Sequence, residues 1–79
     1  MTIRSSKDLG AAIRRARKAQ KLKQVDLAMM ASLRQPLISE LENGTINATV
    51  DTVLKVLAAL ELDLTVMPRR KASFDPTEY

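Results

Sequence analysis

Apolar residues recur along this chain with two different periods. Leu9, Ala12, Ile13 and Ala16 fall three and four positions apart, which places them on one face of a helix. Ser5 stands where an N-cap would, with Asp8 three residues on, so the spacing predicts a first helix over about Ser6 to Gln20. Lys21-Leu22-Lys23 reads as a connector with Leu22 as its buried anchor. Leu27, Ala28 and Ala31 mark one face of a short second helix opened by Gln24, and of Met29 and Met30 one is expected to pack and the other to be exposed. Ser32-Leu33-Arg34 is a turn. A third helix is expected from about Gln35 to Glu42, because Pro36 is tolerated in a first turn and Asn43-Gly44 accept the left-handed conformation that ends a helix. After the loop Thr45 to Ala48, Thr49 is a candidate N-cap, with Val50, Val53, Leu54, Leu57 and Leu60 periodic behind it.

The period then changes. Leu62, Leu64 and Val66 alternate with Asp63, Thr65 and Met67, which is the pattern of a strand, and Pro68 stops it. A lone strand leaves its N–H and C=O groups unpaired, and the chain offers no second one. A two-fold mate supplying the same strand is the simplest remedy. The expected architecture is all-α, four to five helices in residues 1–67, with one C-terminal β-strand over about 62–67 that pairs across a homodimer through Leu62, Leu64 and Val66. Residues 68–79, PRRKASFDPTEY, are polar and are expected to form a disordered tail.

With 79 residues the chain holds one small domain, and nothing in its composition can staple it, since it contains neither Cys nor His. The same absence, with no nucleophile motif and no glycine-rich phosphate loop, argues against an enzyme and against a metal cofactor. No apolar run reaches membrane-spanning length and the N-terminus lacks a signal-peptide core, which points to the cytoplasm.

Charge changes the picture more. The net charge is +4, but between Met1 and Gln35 nine cations face two anions, whereas between Pro36 and Met67 Lys55 stands against five anions. A basic first half suits an anionic polymer, and it equally suits a solvated helix face.

Two short helices joined by a turn of about three residues, behind a basic helix, describe a helix-turn-helix. The second helix of such a pair can enter the major groove with its N-terminal residues toward base edges. Arg34 can donate twice to guanine and Gln35 can pair with the adenine edge; Pro36 can touch a thymine methyl, and Ser39 one turn on can reach a base or a phosphate. Lys23 flanks a helix N-terminus able to bind phosphate. Asn43 and Thr45 follow the reading helix, where their roles are either backbone contacts or a cap and a turn. Arg14, Arg15 and Lys18 either touch phosphate or merely solvate the first helix. Phe74 and Tyr79, the only aromatic residues, both lie in the tail, where they are either partner anchors or incidental.

The motifs Leu9-Gly10, IRRAR at Ile13 to Arg17, QVDLA at Gln24 to Ala28, ISELENG at Ile38 to Gly44 and VDTVLKVLAAL at Val50 to Leu60 together resemble the Xre/Cro, lambda-repressor-like helix-turn-helix family. The resemblance implies that Gln24 bonds a phosphate and bridges toward the start of the reading helix, and that Glu42 forms a structural ion pair with Arg17. Two departures stand out. The family's usual Gly-Val-Ser turn is Ser32-Leu33-Arg34 here, so Ser32 must adopt a conformation that favours glycine, and Arg34 replaces the usual N-cap. The strand and the tail, together with LRQPLIS, look like HipB-type antitoxins. That likeness implies a homodimer that binds a palindromic operator in double-stranded DNA, represses its own operon and partners a HipA-type serine/threonine kinase toxin. The alternatives are a stand-alone, phage-like repressor without a toxin and a protein-binding inhibitor module with little DNA binding.

Overall fold

The computed structural model describes residues 2–66 and 68. Four helices form: α1 (Ser6–Ala19), α2 (Gln24–Ala31), α3 (Gln35–Asn43) and α4 (Val50–Ala59). Their boundaries fall within a residue of those the periodicity predicts. At the head of α1 the Asp8 N–H donates to Ser5 Oγ at 3.1 Å, while the Asp8 carboxylate accepts from the N–H of Arg4, one residue before the cap. Thr49 caps α4 by accepting from the Thr52 N–H at 3.2 Å.

All four helices end alike. An N–H two or three residues past the end of each helix reaches back five positions: Leu22 to Arg17, Leu33 to Ala28, Thr45 to Glu40 and Leu62 to Leu57. The residue before it takes a left-handed conformation in every case, at Lys21, Ser32, Gly44 and Glu61. This is the Schellman termination, and glycine is its least costly occupant. Only Gly44 follows that preference. There a Cβ would lie 2.7 Å from the Cα of Lys7, so close approach as well as backbone conformation calls for glycine.

Helix α3 packs between α1 and α2, and α4 packs on α2. The core is Ile13, Leu27, Ala28, Ala31, Ile38, Leu41, Val56, Leu57 and Leu60, with Leu22 and Leu33 partly buried against it. It contains no aromatic side chain. Gln20 Nε2 donates to the Leu60 carbonyl at 2.7 Å and ties the end of α1 to the end of α4.

Four expectations need correcting or bounding. Met29 and Met30 are both exposed, at 75% and 52%, because the buried face of α2 is taken by Leu27, Ala28 and Ala31. Val50 and Leu54 share the period of α4 but lie at 68% and 42% exposure, since Val56, Leu57 and Leu60 face the core. Residues 62–66 form no strand among the described residues, and Leu62 spends its N–H on the α4 termination. A strand needs a ladder partner. Met67 and residues 69–79, and with them the tail expectation and the candidate anchors Phe74 and Tyr79, lie outside the described residues.

Candidate nucleic-acid interface

The start of α3 is built to expose its first residues. Arg34 occupies the N-cap position with extended backbone and makes no side-chain capping bond. The usual beneficiaries of a cap are the N–H groups of the second and third helical residues. Here the second is Pro36, which has no N–H. The third is Leu37, whose N–H donates to the Arg34 carbonyl at 3.1 Å. A serine at position 34 would therefore find little to cap, and the arginine side chain is released for another task. Arg34, Gln35 and Pro36 are exposed and Ser39 is half-buried one turn on.

Helix α2 begins next to this edge. The Asp26 carboxylate accepts from the Lys23 N–H at 2.8 Å, and Lys23 itself is exposed. Gln24, at the first helical position, is half-buried. Its side-chain oxygen accepts from Gln35 Nε2 at 2.9 Å, and its own Nε2 donates to Glu42 Oε1 at 3.1 Å.

Glu42 is buried and fully engaged. Arg17 Nε donates to Glu42 Oε2 at 2.6 Å and Arg17 Nη2 to Glu42 Oε1 at 3.0 Å, a bidentate pair between α1 and the end of α3. A third guanidinium nitrogen donates to the Leu22 carbonyl at 2.8 Å. The hydrogen bond to Glu42 raises the Arg17 pKa, burial works against it, and the charge of Glu42 adds to the rise. A basic group raised in the folded state contributes stability in full below its ordinary pKa, so this pair acts undiminished at neutral pH on the arginine side and fades only in strong alkali.

Asn43 and Thr45 are exposed just past α3. The Thr45 hydroxyl donates to the Glu40 carbonyl at 3.3 Å, in keeping with a turn residue. Asn43 and Glu42 line a shallow groove with Lys7, Arg14, Arg15 and Lys18 of α1. The single carboxylate in that groove is already paired with Arg17, so the surface is basic. Arg34, Gln35, Pro36, Lys23 and Gln24 thus lie together around two adjoining helix starts. Leu62, Leu64 and Val66 follow α4 in the chain and are exposed. The sequence reading missed that Glu42 holds Gln24 as well as Arg17. The two residues are 18 positions apart, and nothing local announces the contact.

These elements define a helix-turn-helix domain: α2 and α3 meet at a three-residue turn and α3 presents an open, polar N-terminal edge. The helix-turn-helix family model matches residues 13–67, and the chain belongs to this Xre-like family of DNA-binding regulators. The putative antitoxin HigA2 of Mycobacterium tuberculosis is 47% identical over 57 residues, which cover 68% of this chain and 56% of that protein. Antitoxin HipB of Escherichia coli is 34% identical over 76 residues, covering 96% of this chain and 86% of HipB. Among solved structures, a chain of a HipA–HipB–O2–O3 complex superposes with a TM-score of 0.81 at 31% identity, covering 89% of this chain and 99% of that one. The chain thus spans little more than half of HigA2 and most of HipB. No helix among the described residues is long and apolar enough to cross a membrane.

Proposed function

We propose that this chain is a sequence-specific DNA-binding repressor and the antitoxin of a HipA-type serine/threonine kinase toxin, acting as a homodimer on a palindromic operator of its own operon. The observation that carries the DNA reading is the exposed edge Arg34-Gln35-Pro36, freed from capping and backed by the amide of Gln24. In this reading Arg34, Gln35, Pro36 and Ser39 face base edges, while Lys23, Gln24, Asn43 and Thr45 take the sugar-phosphate backbone. The basic groove that Asn43 shares with Arg14 and Lys18 supports a backbone track that continues onto α1.

The antitoxin reading rests on likeness to HipB along almost the whole chain. For the dimer, the support is a set of apolar side chains left exposed on one chain: Val50 and Leu54 of α4, and Leu62, Leu64 and Val66 after it. Pairing of the segment over about 62–67 across a two-fold would supply the ladder that one chain lacks. Phe74 and Tyr79 are the proposed contacts to the toxin.

The test is a pull-down from the native cell with the full chain and with a version truncated after Pro68. Stoichiometric recovery of a kinase with the full chain, lost on truncation, is the expected result. Recovery of operator DNA without any protein partner overturns the antitoxin half and leaves a stand-alone repressor.

A further inference from the structure

The hydrogen bonds at the reading edge converge on one carboxylate: Arg17 donates to Glu42, Gln24 donates to Glu42, and Gln35 donates to Gln24. Direction is the informative property. A glutamine amide is symmetric in shape and can be turned over, exchanging its donor end for its acceptor end. An ionised carboxylate cannot be turned over, because it only accepts. Both Glu42 oxygens accept from Arg17, a cation that does not give up its proton. Gln24 must therefore point its NH2 at Glu42, which leaves its oxygen toward α3. Gln35 must in turn donate to that oxygen. What remains of Gln35 is its carbonyl oxygen and a second N–H, one acceptor and one donor, the pair that matches the N6 and N7 positions of adenine.

We propose that the buried Arg17–Glu42 pair is a specificity-determining device: its charge sets the polarity of the Gln24–Gln35 amide chain and so fixes which base Gln35 accepts. Arg17 and Glu42 touch no base and act as positioning residues. With Glu42 uncharged and apolar, Gln24 turns over freely. Gln35 then accepts from Gln24 as often as it donates, and the orientation that accepts offers two donors outward. Two donors suit the O6 and N7 acceptors of guanine, so discrimination against guanine at that position is lost. This inference rests on the DNA-binding reading above, and it adds a cause for one base preference.

The test uses the full chain and a randomised double-stranded DNA pool, with base preference at each position read from the enriched sequences. Removing one partner alone would strand a buried charge, so the pair is replaced together, as Arg17→Met with Glu42→Met. The expected result is a folded protein that enriches the wild-type motif except at one base position. There the preference falls about fivefold or more, and Gln35→Ala loses preference at the same position. Gln24→Ala, a change at a half-exposed residue, is the second variant and gives the same positional loss if the double variant does not fold. Retention of the full preference at that position in the folded double variant, or in Gln24→Ala, overturns the proposal and leaves the DNA reading intact. A wild-type chain that enriches no motif overturns the DNA reading, and the relay with it.

Discussion

Gly10 of α1 meets the backbone of Leu41 in α3 with no room to spare: a Cβ on Gly10 would lie 2.2 Å from the Leu41 carbonyl oxygen. The neighbouring Glu42 carbonyl would be 2.6 Å away. Backbone atoms cannot swing aside as a side chain can, so the α1–α3 crossing depends on this glycine. Gly10→Ala is expected to destabilise the fold by about 3 kcal/mol or more, the upper end of overpacking costs. Thermal unfolding followed by circular dichroism measures it, and an unchanged midpoint would contradict the packing described.

Ser32 joins α2 to α3 with φ of 58° and ψ of 44°. A side chain in this conformation carries a penalty that glycine escapes, partly offset by the greater freedom of glycine in the unfolded chain. Ser32→Gly should raise stability by about 0.5–1 kcal/mol, seen as a melting temperature higher by a few degrees. A fall in the melting temperature would mean that the Ser32 side chain makes a stabilising contact outweighing the strain.

Base-reading and phosphate-binding residues separate by the kind of loss they produce. Gln35→Ala should cost about 1–3 kcal/mol of binding at one base position and relax preference there. Lys23→Ala should weaken every sequence alike and lower the slope of log affinity against log salt by about 1, and Arg14→Ala and Lys18→Ala should do the same if the backbone track continues onto α1. Titrations at several salt concentrations distinguish the two patterns, and a reversal would exchange the assignments.

Leu64 is more than half exposed in one chain. Leu64→Asp should leave the helical domain folded but convert a dimer to a monomer, with operator affinity falling as the second half-site is lost. Sedimentation equilibrium reads the mass directly. A variant that remains dimeric would move the interface away from residues 62–66.

Helix positions were legible because each is announced locally. Ser5 and Thr49 start helices, Pro36 marks a first turn, and Gly44 ends a helix by its own chemistry. The turn conformation at Ser32 and the Arg17–Glu42 pair were visible only through resemblance to a family, since no spacing rule links positions 17 and 42. The exposure of Met29, Val50 and Leu54 was not legible. Periodicity gives the faces of a helix but not which neighbour covers each, and that depends on how α4 is turned against α2. The link from Glu42 to Gln24 was hidden for the same reason, because it exists only once the end of α3 and the start of α2 are folded side by side. The strand pattern at 62–66 is plain in sequence, but one chain by itself provides no ladder for it.

Pro36 has an effect that reaches beyond its own position. By removing one N–H, beside a Leu37 N–H already bonded to the Arg34 carbonyl, it leaves a side chain at position 34 little to cap. In a helix that needs its cap, changing the residue at the mouth trades stability for specificity. Here the two are uncoupled. On the DNA reading proposed above, a change at position 34 alters the sequence recognised at little cost in helix capping. Position 35, tied through Gln24 to a buried charge, has no such freedom. If Arg34 and Gln35 read bases as proposed, the edge holds a variable letter beside a constant one, and operator preference can change through a single codon.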